Sequence, residues 1–281
     1  MKLMRYGAKG AEKPALIDAN GAVRDLSGVL PDITGATLSK DGLATLAAVD
    51  IASLPVVENP GRIAPPWKGV GKFLCVGLNY ADHAAEGGHA RPEYPSFFLR
   101  VATSLVGHGQ GLVRPRVSDR LDYEAELVLV VGRRARHLTA ANALDAVAGY
   151  SCFNDGSLRD YQRKTAQWTI GKNFDATGAF GPWFVPAADL PPGAAGLKIE
   201  SRLNGQVMQS DNTRNMLFPV VETLCLVTEA ITLEPGDLVV MGTPSGVGYA
   251  RKPPVWMKAG DRIDIEIEGI GVLSNPVIDE G

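Results

Sequence analysis

The stretch Leu121-Asp122-Tyr123-Glu124-Ala125-Glu126-Leu127-Val128-Leu129-Val130-Val131-Gly132 decides how the chain is read. Its second half is a run of branched apolar residues closed by glycine, the pattern of a buried strand. Side chains alternate between the faces of a strand, so Glu124 and Glu126 point the same way. Two adjacent carboxylates repel, and burying either one unpaired costs on the order of several kcal/mol. A divalent cation between them relieves both penalties, and an all-oxygen ligand set suits Mg²⁺, Mn²⁺ or Ca²⁺. Taken alone, the strand also fits a sheet edge with a solvated acidic face, so a metal centre needs further ligands.

The nearest candidate downstream is Asp155. It ends the apolar run Tyr150-Ser151-Cys152-Phe153 and is followed by Gly156, which places a carboxylate at the tip of a turn. By itself Asn154-Asp155-Gly156 is an ordinary turn sequence.

Around these carboxylates lies a chain of 281 residues with 45% hydrophobic content, enough for a sizeable core. The net charge of −3 and the lack of a dense Lys/Arg stretch argue against nucleic acid as a partner. Cys75, Cys152 and Cys225 are far apart and share no Cys-x-x-Cys spacing, which speaks against a zinc site or a disulfide framework. The N-terminus lacks the apolar core of a signal peptide, and no run approaches the roughly 18 apolar residues of a membrane span. A soluble, cytoplasmic protein is expected.

Residues 1–66 read as a small β-rich N-terminal domain. Strands are predicted at Lys2 to Tyr6, Pro14 to Asp18 and Ala22 to Asp25, with a helix at Asp41 to Val49. The Pro/Gly-rich segment from Asn59 to Trp67 reads as a linker to a main domain spanning 67–281. There, Lys72 to Gly77 is a predicted strand, Ala81 to Glu86 a helix, Ala141 to Ala148 a short helix, and Met216 to Ile231 the longest helix. Strands at Leu197 to Leu203, Gly236 to Gly242, Asp261 to Glu268 and Gly271 to Val277 complete a fold of class α+β, predominantly β.

Seven short stretches carry a resemblance. They are Gly77-Leu78-Asn79-Tyr80 with Asp82-His83-Ala84-Ala85-Glu86; Asp122-Tyr123-Glu124-Ala125-Glu126; Asn154-Asp155 with Arg159-Asp160; Gly171-Lys172-Asn173-Phe174-Asp175; and Gly242-Thr243-Pro244 running on to Ser245-Gly246-Val247-Gly248. In this order and spacing the chain resembles the fumarylacetoacetate hydrolase superfamily from about residue 70 onward. The resemblance implies a mixed β-roll catalytic domain, usually a homodimer, that binds a divalent cation, Mg²⁺ foremost with Mn²⁺ or Ca²⁺ as alternatives. It implies action on 2-oxo or 2,4-dioxo acids by hydrolysis, decarboxylation or isomerisation.

Carried onto this sequence, the resemblance assigns Glu124, Glu126 and Asp155 as metal ligands, and Lys172, His83 and Glu86 as catalytic residues. It assigns Arg159, Gln162 and Thr243 as substrate-facing. Taken alone, His83-x-x-Glu86 is an ordinary helix-surface pair and Lys172 an ordinary turn lysine. His89, His108 and His137 are assigned no role.

The implied reaction is hydrolysis of a C–C bond in an acylpyruvate-like acid, with the cation stabilising a pyruvate enolate. Glu86 would fix the tautomer of His83 so that the imidazole deprotonates water, and Thr243 with its loop amides would take the substrate carboxylate. Decarboxylation of an oxaloacetate-type acid, isomerisation of an unsaturated 2-oxo dioate, and a non-catalytic 2-oxo acid-binding protein are the alternatives. Departures from the family pattern are Gly156-Ser157-Leu158, Arg100 where lysine is common, Tyr161 and Trp168 near the pocket, and the extension Tyr249 to Pro254. Gly87 and Gly88 predict that Asp82 to His89 is a lid, poorly ordered or holding His83 away from the metal when no ligand is bound.

Overall fold

The computed structural model of the protein describes residues 1–281. The acidic stretch forms a strand over Ala125–Val131, every residue of it buried. Its two faces enter different cores. Leu127, Leu129 and Val131 pack into the larger core with Ile199, Ile265 and Leu273, whereas Val128 and Val130 pack into a second core with Phe73, Phe153 and Phe180. A strand buried on both sides reads as an unbroken apolar run, and that is why the sequence shows no polar alternation after Glu126.

The fold is α+β and mostly β. The main sheet of 11 strands has the order Val23–Asp25, Lys13–Ile17, Lys2–Tyr6, Gly178–Pro186, Val147–Asn154, Ala125–Val131, Leu238–Val240, Phe73–Gly77, Ser96–Leu99, with two short strands off this path. A second sheet of five strands covers one face, in the order Gln206–Asn212, Lys198–Leu203, Arg262–Ile267, Gly271–Asp279, Leu112–Arg114. Residues 1–66 supply one end of the main sheet through the pair Leu3↔Phe184. Leu3, Leu16 and Leu38 share the second core with Val128 and Phe180.

Two predicted elements differ. Ala141 to Ala148, expected as a helix, is a single 3₁₀ turn at Leu144–Ala146, and the strand Val147–Asn154 has already begun. The helix propensity of alanine is a weak preference, and here the ladder between Val147 and Val131 overrides it. The helix expected from Met216 starts later and covers Val220–Ala230, with Pro219 at its N-cap position. Leu217 N–H donates to the Asn79 carbonyl and Phe218 N–H to Asn79 Oδ1, both at 2.7 Å. These bonds, and the bias of a pre-proline residue toward extended backbone, hold 216–218 out of the helix. Neither Thr213 nor Asn215 caps it.

Candidate active site

Antiparallel pairing brings the three candidate ligands together. Ala125 lies opposite Asn154, and Asp155 N–H donates to the Glu124 carbonyl at 3.0 Å. The next residue must be small, because a Cβ on Gly156 would sit 1.9 Å from the Thr177 carbonyl oxygen. One carboxylate oxygen from each of Glu124, Glu126 and Asp155 lies within 4.8 Å of the others. All three side chains are buried.

Three buried cations surround this cluster. Lys172 Nζ lies 2.6 Å from both Glu124 Oε2 and Asp155 Oδ2. Arg159 donates from Nε to Asp122 Oδ2 at 2.8 Å and from Nη1 to Gln162 Oε1 at 2.8 Å, and its Nη2 stands 2.7 Å from Glu124 Oε1. Arg100 hydrogen-bonds Asp155 Oδ1 through Nη1, which also reaches the Gly156 carbonyl at 3.1 Å.

The charges do not balance. Against these three cations stand four buried carboxylates, Asp122, Glu124, Glu126 and Asp155. Glu126 is the one without a cationic partner, and its Oε2 accepts only the Gly242 N–H, at 2.7 Å. Burial, then the charges of Asp155 and Glu124, push the Glu126 carboxyl well above the ordinary range. Burial would also raise Glu124, but Arg159 and Lys172 outweigh it and hold that carboxyl below its ordinary value. Burial pulls Lys172 down, yet Asp155 and Glu124 prevail and the ammonium is held charged.

The donor chemistry fits a divalent cation. It is all carboxylate, buried, carries surplus negative charge, and already holds an ammonium bridging two of its members. Glu124 and Glu126 line a cavity of about 450 Å³ together with His83, Arg159, Gln162, Lys172 and Thr243. Asp155 stands behind Lys172.

His83 sits in the wall of this cavity, buried, on a helix formed over Ala81–Glu86. His83 faces the same space as the carboxylates. The cause is a relay of hydrogen bonds. His83 Nδ1 lies 2.8 Å from Glu86 Oε1, and Glu86 Oε2 accepts the Gly246 N–H at 2.8 Å. Glu86 so placed favours the proton on Nδ1 and leaves Nε2 with its lone pair.

The glycine amides of the loop Gly242 to Gly248 are committed to internal bonds. Gly242 N–H goes to Glu126, Gly246 N–H to Glu86, Gly248 N–H to Asp122 at 2.7 Å and Tyr249 N–H to Asp122 at 3.0 Å. These four amides are taken, so among the loop amides expected to serve a substrate carboxylate that of Thr243, beside its hydroxyl, is the one that lines the cavity without a partner in the chain. Thr243 Oγ1 accepts from Gln209 Nε2 at 2.7 Å, which leaves its own hydroxyl proton to donate. Gly242 has φ +83°, and a Cβ there would meet Asn79 Cβ at 2.7 Å, so the loop closes tightly on Asn79.

Several residues of the site escaped the sequence reading. Asp122 is fully buried and gathers Arg159 and two loop amides. It lies two residues before Glu124, so strand alternation alone could have flagged it. Arg100, in sequence only a departure from the family pattern, anchors Asp155. Gln209 ties Ala125 N–H, Ser201 and Thr243 together, and nothing in its local sequence signals this. His89, assigned no role, lines the mouth of the cavity. Tyr161 packs on Phe174 and away from the lining, whereas Trp168 lines the cavity against Phe98.

Residues 72–278 match the family described as fumarylacetoacetate (FAA) hydrolase, C-terminal. A protein of Burkholderia lata, provisionally named a hydrolase, is 44% identical over 274 residues, covering 96% of each chain. The fumarylacetoacetate hydrolase of Exiguobacterium antarcticum is 35% identical with a TM-score of 0.89, covering all of both chains. The 5-carboxymethyl-2-hydroxymuconate delta-isomerase of Mycobacterium smegmatis is 32% identical with a TM-score of 0.78 over the full length of both. The chain belongs to the fumarylacetoacetate hydrolase family.

Proposed function

We propose that the protein is a divalent-metal-dependent hydrolase that cleaves the C3–C4 bond of an acylpyruvate-like 2,4-dioxo acid. One observation carries this reading: a buried three-carboxylate cluster with unmatched negative charge shares a cavity with a His–Glu pair poised as a base. Glu124, Glu126 and Asp155 would hold the cation, with Mg²⁺ or Mn²⁺ the natural choices for such ligands. When bound, the cation supplies Lewis acidity toward the 2-oxo acid end of the substrate.

The chain's own residues do the rest. His83 takes a proton from water through Nε2, with Glu86 stabilising the imidazolium that forms. The hydroxide adds to the C4 carbonyl. The C3–C4 bond then breaks, its electrons pass to C3 as the pyruvate enolate, and the acyl group leaves as a carboxylic acid. Protonation at C3 completes pyruvate. Lys172, held charged, keeps positive potential near the enolate, and the Thr243 hydroxyl can donate to the substrate carboxylate. Arg159 and Gln162 form the wall beside it.

A second reading is isomerisation or decarboxylation of a related 2-oxo acid. It is supported by the isomerase relative at 32% identity and by the fact that neither reaction needs an attacking water. In both readings residues 1–66 serve as a packing module, since they extend the main sheet and add apolar side chains to its second core. Family membership also supports a homodimer, which sedimentation velocity would read directly.

The test is pyruvate release from acetylpyruvate and fumarylpyruvate by protein loaded with Mg²⁺ or Mn²⁺. Release above the metal-free control is expected from at least one. None from either would overturn the hydrolase reading.

A further inference from the structure

The segment 159–172 lines much of the cavity, through Arg159, Gln162, Arg163, Thr165, Trp168 and Lys172. Three of these carry positive charge, and two are spoken for. Arg159 is paired with Asp122 and Glu124, and Lys172 with Glu124 and Asp155. Arg163 differs from both. Its side chain makes neither an ion pair nor a hydrogen bond, and it is exposed at the cavity mouth. Even so it is held in place, with its guanidinium 4.4 Å from the centre of the Tyr249 ring. Arg159 stands over the same ring at 4.6 Å. A guanidinium stacked on an aromatic face keeps its donors free and loses little further freedom when it binds an anion.

The inner end of the cavity has the opposite character. The cations there are already held by carboxylates, Lys172 by Glu124 and Asp155, and Arg159 by Asp122 and Glu124. A cavity of about 450 Å³ is also far larger than a three-carbon 2-oxo acid fills. A longer acid anchored inside by its 2-oxo carboxylate must run outward past Trp168 and Tyr249. If its far end carries a second carboxylate, Arg163 is the one unmatched cation lining its path.

We propose that Arg163, presented by Tyr249, is a specificity-determining residue that selects substrates with an acidic group at the end distal to the 2-oxo acid. This rests on the reading of the inner end as the 2-oxo acid site. The substrate class is therefore a 2-oxo dicarboxylic acid, in preference to a monoacid with an apolar tail.

Two measurements test it. Calorimetric titration of Mn²⁺-loaded protein compares pyruvate with 2-oxoadipate, a 2-oxo diacid that has no 4-oxo group to hydrolyse. Turnover compares kcat/KM for fumarylpyruvate and acetylpyruvate. In Arg163→Gln, binding of 2-oxoadipate relative to pyruvate should weaken about ten-fold or more, the worth of one charge-assisted hydrogen bond. The fumarylpyruvate-to-acetylpyruvate ratio of kcat/KM should fall by a similar factor. Arg163→Lys, which keeps the charge and loses the planar stack, should retain part of both preferences. Equal weakening toward both ligands, or none toward either, overturns the proposal. If the unaltered protein turns over neither acid while the calorimetric preference is lost in Arg163→Gln, the hydrolase reading fails and the role of Arg163 stands.

Discussion

Arg159 and Asp122 form a buried ion pair, with Nε 2.8 Å from Oδ2 and neither side chain more than 4% exposed. Asp122 also accepts the amides of Gly248 and Tyr249, so one carboxylate fastens the cavity-lining Arg159 to the loop that follows Gly242. Removing Asp122 breaks a buried ion pair, leaves Arg159 with Glu124 alone and takes the acceptor from two loop amides. Asp122→Ala should destabilise the protein by about 3–5 kcal/mol. Urea unfolding checks this, and a loss below about 1 kcal/mol would show that water replaces the carboxylate without penalty.

His83→Ala separates the two readings of the reaction. General-base catalysis contributes about 10²–10⁴-fold, so hydrolysis of an acylpyruvate should fall by that factor. Decarboxylation of oxaloacetate, which needs no attacking water, should survive in part. Parallel assays of both activities on the same preparation decide it, and equal loss of the two would remove the water-activating role from His83.

Glu126 presents a conflict between stability and function. Its buried carboxyl has no cationic partner and is pushed up by burial and by its two neighbours. Glu126→Gln removes that penalty, so the metal-free variant should be at least as stable as the parent and up to about 2 kcal/mol more so. Its affinity for Mn²⁺ should fall at least ten-fold. Thermal unfolding in chelator, paired with Mn²⁺ titration, reads both effects, and unchanged Mn²⁺ affinity would exclude Glu126 as a ligand.

The N-terminal strands carry a pH signature of their own. Partial burial pushes the Glu12 carboxyl up, but a local backbone hydrogen bond together with Arg62 and Arg5 outweighs it and holds the group below its ordinary value. A depressed carboxylate contributes stability that is full above its unfolded pKa of about 4.3 and is lost as pH falls through the folded value. Glu12→Gln should therefore lower Tm at pH 7, by an amount equivalent to under about 1 kcal/mol at this site near the surface. The difference should vanish at low pH. A difference that persists at pH 2 would assign the effect to packing.

What the sequence made legible was set by how local the signal is. Glu124, Glu126 and the strand behind them announce themselves by alternation within one element. Asp155 is brought to them by pairing across two strands, and the family resemblance pointed to it where its own turn sequence did not. Arg100 and Gln209 reach the site from distant parts of the chain, and their side chains act through partners 55 and 84 residues away. No periodicity carries such contacts. The misread helix starts have the same origin, since Asn79 and Val131, remote in sequence, decide where Val220–Ala230 and Val147–Asn154 begin.

The strand Ala125–Val131, closed in by one core on each face, also sets where the molecule can yield. Its amide protons should exchange with solvent only when the whole protein opens, and those of Ala81–Glu86 and Arg159–Gln162 much sooner. The cavity thus has a floor as long-lived as the fold and walls that can open on the timescale of turnover. Substrate entry and product release then need no disturbance of the carboxylates, so the ligand geometry can outlast every catalytic cycle.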